Sequence, residues 1–351
     1  MSAAMTFAKT LHAPDLTAAG LVPPERLAEL ERVAARYAVA VTPAMAELID
    51  PDDPADPIAR QFLPTAAELD HRPEESSDPV GDETHSPVLG IVHRYPDRVL
   101  LMATHACAVY CRFCFRRETV GPTAAKAVSP EVLEGALAYI ASHPEIWEVI
   151  LTGGDPLILS PRRLKTLMQR LGGIDHVKVI RLHTRMPAAD PGGITPELVG
   201  ALRRSGKAVY VALHADHPRE LTPAARAACA RLVDAGVPML GQTVLLSGVN
   251  DDPETLGALM RAMVESRIKP YYLHHPDHAP GTSHFRISIA EGQRVMRAIR
   301  GRFSGLCQPT YMLDIPGGYG KVPVGPEYLR DGEVEDPCGA RHAYPPSAPG
   351  G

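Results

Sequence analysis

The densest chemistry in this sequence is Cys107-Ala-Val-Tyr-Cys111-Arg-Phe-Cys114, three cysteines within eight residues. Three thiolates from one short loop can hold three irons of a cubane iron–sulfur cluster and leave the fourth iron open to a small molecule. The competing reading is a zinc site, Cys₃His with His105, although zinc more often takes paired C-x₂-C knuckles. Cys229, Cys307 and Cys338 are scattered and read as buried or incidental thiols. Other candidates follow along the chain: Gly153-Gly154-Asp155, His214, Gln242, and the run His274-His275-Pro276-Asp277. A glycine pair lets a ligand approach the backbone closely, though Gly-Gly-Asp-Pro is also a common turn. Near the C-terminus, Asp314-Ile-Pro-Gly-Gly-Tyr-Gly-Lys321 presents one lysine on a glycine loop. It is not a phosphate loop, because no Ser or Thr follows the lysine. Taken alone it reads as a surface lysine on a turn.

The segments between these residues supply the elements that must position them. Strand-like runs are expected at Val99–Thr104, Glu148–Thr152, Val177–Leu182, Ala208–His214, Met239–Leu246 and Pro270–His274. Between them Leu133, Leu137 and Ile140, and likewise Leu164, Met168 and Leu171, repeat at helical spacing. Ser129, Ser160, Thr195, Thr222 and Asp252 each stand just before a proline. Such side chains cap orphan N–H groups at a helix start, and proline in the first turn loses nothing because its N–H would be unpaired. Alternating strands and capped helices predict an α/β chain of βα units around a parallel sheet. In such barrels chemistry gathers at the C-terminal ends of the strands, where the polar candidates fall. Residues 1–97, with helical patterns such as Pro24–Tyr37 between Pro- and Asp-rich stretches, are expected to cap the barrel. The tail 336–351, rich in Pro, Gly and Ala, is expected to be loose.

Composition narrows the function classes. The chain has 351 residues, 45% hydrophobic, enough for a large core. A net charge of −5 gives no basic footprint for nucleic acid. No stretch reaches the ~18 apolar residues of a membrane span, and Met1–Gly20 lacks the apolar core of a signal peptide. A cytoplasmic protein handling small molecules is expected, in a compartment where clustered cysteines bind metal more often than they pair.

The cysteine triad, with Phe113 before its last member, and the Gly-Lys321 loop together resemble the lysine 2,3-aminomutase family of radical S-adenosylmethionine (radical SAM) enzymes. The resemblance runs from about Ile49 to about Leu329. It includes His93-Arg94-Tyr95-Pro96-Asp97-Arg98, Cys111–Arg117, Gln242–Leu246 and Pro270–Leu273. It implies a partial (β/α)6 TIM-type barrel core at 98–303 and a C-terminal pyridoxal phosphate (PLP) segment at 304–335. It further implies an isomerase with three cofactors. A [4Fe–4S] cluster would sit on Cys107, Cys111 and Cys114. S-adenosyl-L-methionine would lie against Gly153, Gly154, Asp155, His214 and Gln242. Pyridoxal 5′-phosphate would be bound as an imine to Lys321, with Arg94, Tyr95 and Arg98 at its phosphate. An electron donor such as flavodoxin or ferredoxin would reduce the cluster. The resulting 5′-deoxyadenosyl radical would drive migration of an amino group from C2 to C3.

For the substrate, the resemblance places Arg116 at its carboxylate, where a planar guanidinium fixes orientation as well as charge. It places Asp277 and Asp314 at the side-chain ammonium of L-lysine. Two carboxylates in one site repel unless a cation lies between them. An aminomutase for another amino acid is the alternative. The chain departs from the long clostridial members, because only Cys338 follows the lysine loop and Asp252 stands in the place of another zinc cysteine. Its length is more like the branch that makes β-lysine for elongation factor P, and a homo-oligomer stays open.

Overall fold

The computed structural model describes residues 9–121 and 128–345. The remaining parts of the expected cap, core and tail lie outside the described residues. One nine-stranded sheet organises the chain, in sequence order from β1 to β9. Its strands are β1 (Ile91–Tyr95), β2 (Arg98–Thr104), β3 (Glu148–Gly153), β4 (Val179–Thr184), β5 (Ala208–His214), β6 (Met239–Val244), β7 (Ile268–His274), β8 (Thr310–Ile315) and β9 (Gly320–Pro323). Pairing is parallel from β2 through β8, and β1 and β9 add antiparallel at the two edges. Each strand from β2 to β7 is followed by a helix on the outer face, which gives the (β/α)6 core. The order Val149-Ile150-Leu151 in β3, buried throughout, is what a strand covered on both faces requires.

All five Ser/Thr/Asp-Pro signals are helix starts. Ser129 Oγ accepts from Val132 N–H, Ser160 from Arg163, Thr195 from Leu198 and Thr222 from Ala225, while Asp252 accepts from Glu254 and Thr255. The sixth barrel helix, Ile289–Ile299, starts differently, with a reciprocal Ser288–Glu291 capping box and no proline. The strand it feeds, β8, was not among the six expected runs. It extends the sheet to a seventh parallel strand and lies within 304–335, just as β1 lies within 1–97. Expected strand ends also shift by one or two residues in five of the six runs; β4, for instance, begins two residues after Val177 and contains His183 and Thr184. Within the expected loose tail, β12 (Arg341–Ala343) joins β10 (Leu329–Arg330) and β11 (Glu333–Glu335) in a small exposed sheet.

Sheet edges β1 and β9 do not pair as strands; side chains bridge them. Arg94 of β1 reaches Asp314 of β8, and the Tyr95 hydroxyl accepts from the Lys321 N–H at 2.7 Å. The cap forms a second apolar cluster, with Leu16, Leu30, Met45, Ile58 and Phe62 packed on Val109 of the cysteine loop and Ala189 after β4.

Candidate active site

The cysteine loop leaves β2 and has little regular structure of its own, so neighbours hold it. Tyr110 N–H donates to Ala40 O at 3.1 Å, and Arg112 N–H to Gln61 O at 2.8 Å. The Arg112 guanidinium donates to Glu68 at 3.0 Å and to Ala38 O at 2.6 Å, and Arg117 pairs with the same Glu68. Burial pushes the Glu68 carboxyl up, but the two arginines outweigh it and hold it below its usual range. The cap thus grips the loop through a buried carboxylate between two buried cations. Sequence reasoning quoted both arginines in a matching block without a role and missed Glu68 altogether.

Every residue to which the resemblance gives a role lines one cavity of about 600 Å³ at the C-terminal ends of the strands. Cys107, Cys111 and Cys114 line it with Gly153, Gly154, Asp155, His214 and Gln242, and so do Lys321, Arg94, Tyr95, Arg98, Arg116, Asp277 and Asp314. Burial pushes all three thiols up, Cys111 to about 12 despite nearby Arg185. Arg185 Nη1 donates to Cys111 Sγ at 2.8 Å. Among the described residues no three His, Cys, Asp or Glu side chains converge on a single-ion site, as the zinc reading with His105 requires. Three soft donors opening on a cavity fit a cluster whose fourth iron faces a ligand.

At the end of β3 the glycines are needed for close approach. Gly153 has φ +97°, and a Cβ on Gly154 would lie 2.2 Å from Ala106 O in the cysteine loop. Gly154 N–H donates to Thr104 O at 2.6 Å and Asp155 N–H to Ala106 O at 2.9 Å, pinning the start of that loop. The Asp155 carboxylate lines the cavity and is also held by the protein itself. It accepts from Thr184 Oγ1 at 2.6 Å, Arg185 N–H at 2.7 Å and Leu157 N–H at 3.0 Å, so it ties β3 to β4. His214 pairs with buried Asp216 at 3.0 Å, and Gln242 contacts His183 at 3.4 Å. Burial holds His183 and His274 well below the ordinary imidazole range, so both are neutral near pH 7.

Lys321 and Asp314 face each other in the β8–β9 ladder and form an ion pair. Asp314 also takes a two-pronged contact from Arg94, at 2.9 and 3.3 Å. Arg94 is held further by Val80 O at 2.9 Å, and its Nε is buried with no hydrogen-bond partner among the described residues. Arg98 lies 3.8 Å over the Tyr95 ring and pairs with Asp97 at 2.7 Å. Arg116 pairs with Asp82 at 2.6 Å. Asp277 is different: its carboxylate makes no hydrogen bond or ion pair with any described residue. Burial pushes it up to about 7, with Lys321 pulling down and Asp314 pushing up. The two acids that the resemblance treats alike therefore differ: Asp314 is engaged by protein cations, whereas Asp277 faces the cavity unpartnered. The basic donors around Lys321 fit an anionic cofactor beside an amine nucleophile.

A thiol triad at the end of the first parallel strand of a partial βα barrel, opening on a cavity beside the β3 glycine pair, defines the class: a radical SAM enzyme. Residues 101–259 match the family model of the Radical SAM superfamily. The chain belongs to the lysine 2,3-aminomutase family. It is 40% identical over 306 residues to the L-lysine 2,3-aminomutase of Acetoanaerobium sticklandii, covering 87% of this chain and 73% of that one. It is 42% identical over 291 residues to the L-lysine 2,3-aminomutase of Clostridium subterminale, with coverage of 83% and 70%. The glutamate 2,3-aminomutase of Clostridioides difficile is 38% identical over 300 residues, with coverage of 86% and 70%. The protein is an isomerase, a radical SAM aminomutase that uses a [4Fe–4S] cluster, S-adenosylmethionine and pyridoxal phosphate. Among the described residues no helix is long and apolar enough to cross a membrane.

Proposed function

We propose that this chain converts L-lysine to β-lysine by 2,3-amino migration. The observation that carries the choice of amino acid is Asp277, an unpartnered carboxylate in a cavity that also holds Arg116, Asp314 and Lys321. An ε-ammonium arriving there gives Asp277 the cation it lacks, whereas the side-chain carboxylate of glutamate would meet like charge from Asp277. A site built around a buried ionic partner rejects analogues without that partner strongly.

Residue roles follow from this reading. Cys107, Cys111 and Cys114 hold the cluster. The Gly153–Gly154 backbone, His214 and Gln242 border S-adenosylmethionine. Lys321 carries pyridoxal phosphate, and Arg94, Tyr95 and Arg98 border its phosphate. When bound, these groups supply the radical and the nitrogen migration; the chain supplies orientation and exclusion of water. Arg116 grips the substrate α-carboxylate and Asp277 its ε-ammonium, so the carbon chain is held at both ends. Asp314 keeps Arg94 in place beside Lys321. Neutral His183 and His274 add no charge beside the migrating nitrogen. A low-potential flavodoxin or ferredoxin supplies the electron.

Anaerobically reconstituted enzyme, given reductant and all three cofactors, tests the choice of substrate. L-Lysine and L-glutamate are offered in parallel, and the products are separated by mass spectrometry. β-Lysine from lysine, with no β-glutamate, is expected. β-Glutamate as the faster product would overturn the assignment.

A further inference from the structure

Arg185 lies just past the end of β4, 5% exposed, with its guanidinium between the rings of Phe62 at 4.9 Å and Phe113 at 5.7 Å. Its Nη2 donates to three acceptors from separate parts of the chain. These are Gln61 Oε1 of the cap at 2.9 Å, Asp216 after β5 at 2.7 Å, and Glu220 in the following turn at 3.0 Å. Asp216 and Glu220 are both fully buried. With one nitrogen fixed this way, the planar fork has one remaining direction for the other, and Nη1 points at Cys111 Sγ, 2.8 Å away. Here two carboxylates and an amide oxygen orient one donor toward one sulfur.

We propose that Arg185 is a positioning residue that donates a hydrogen bond to the Cys111 sulfur of the iron–sulfur cluster and raises the cluster's reduction potential. Reduction adds one electron from a low-potential donor and no proton. The added negative charge spreads over the irons and sulfurs, and an N–H aimed at a ligand sulfur stabilises the reduced cluster more than the oxidised one. Because Asp216 and Glu220 offset the arginine's charge, the effect comes from the directed N–H dipole. Gln61 makes the cap part of this device, since it helps fix the donor from outside the barrel. The proposal rests on Cys111 being a cluster ligand.

The test is an EPR-monitored redox titration of the reconstituted holoenzyme beside Arg185→Lys and the double variant Arg185→Gln/Glu220→Gln. Lysine keeps the charge but cannot reach all four partners. The double variant removes one charge of each sign. Both should be at least tenfold harder to reduce, a midpoint lower by about 59 mV or more for a one-electron couple. Midpoints equal to wild type, with iron content unchanged, would overturn the proposal. Should both variants lose the cluster, wild-type enzyme labelled with ¹⁵N-arginine decides by pulsed EPR. A nitrogen coupling in the reduced cluster supports the bond, and its absence refutes it. Cys111→Ala is titrated for iron alongside: a full cubane there would remove the ligand assignment, a failure separate from an unshifted potential.

Discussion

Replacing Asp277 by asparagine separates a substrate-binding acid from a structural one, because the two roles predict opposite changes in stability. The carboxyl is lifted from 3.8 to about 7 by burial, and no described residue pairs with it. A carboxylate raised in the fold destabilises the folded state as it ionises. The folded chain binds the proton more tightly than the unfolded chain, so stability falls as pH rises from about 4 to about 7 and then levels. Asparagine removes that loss. A shift of close to three pH units bounds the gain at about 4 kcal/mol at pH 8. Water in the cavity screens part of it, and we expect roughly 1–2 kcal/mol in urea titrations. Catalysis moves the other way. A charge-assisted hydrogen bond to the ε-ammonium is worth about 1.5–3 kcal/mol, so kcat/KM for lysine should drop roughly 10- to 150-fold. The wild-type profile should also fall about tenfold per unit below pH 7, as Asp277 takes up a proton, and the variant's should lose that limb. A variant that is less stable at pH 8, or that keeps the wild-type kcat/KM and acid limb, would refute the reasoning and make Asp277 structural.

Three further outcomes follow from named contacts. Lys321→Ala should leave no pyridoxyl adduct after borohydride while retaining about four irons per chain; peptide mapping that finds the adduct on another lysine would relocate the cofactor. Glu68→Gln removes the countercharge between Arg112 and Arg117, and breaking such a buried pair costs about 3–5 kcal/mol. An unmoved urea midpoint would show that the cap does not hold the cysteine loop in this way. Gly154→Ala places a methyl 2.2 Å from Ala106 O. The loop must give way, and S-adenosylmethionine binding by calorimetry should weaken roughly tenfold, about 1.4 kcal/mol; unchanged binding would mean that the loop yields freely.

Much of the site was legible because its signals are local. The cysteine spacing, the glycine–lysine loop and the Ser/Thr/Asp-Pro starts each lie within a few residues, where chain geometry alone relates the groups. The missed features were those without such a mark. β8 went unrecognised because its helix opens on Ser288 and Glu291 with no proline, and because Thr310–Ile315 adjoins a loop whose chemistry dominated the reading. Glu68 sits in a stretch with no chemical signature, and its meaning depends on two arginines more than 40 residues away.

By itself the sequence determined the candidate ligands on offer, the alternation of strand and helix, and the gathering of polar groups at one end of the strands. Periodicity and capping are properties of neighbouring residues, so they survive without a fold. Only the tertiary structure decided which charges meet. Arg94 and Asp314 are 220 residues apart and touch because β1 and β8–β9 close on each other across the open edge of the sheet. Arg185 reaches Cys111 across 74 residues because the buried acids after β5 turn its fork that way. The same packing leaves Asp277 as the acid without a partner. Sequence patterns say which face a side chain takes; the partner it finds there depends on how separate elements pack, and that sets which groups are neutralised and which remain for substrate.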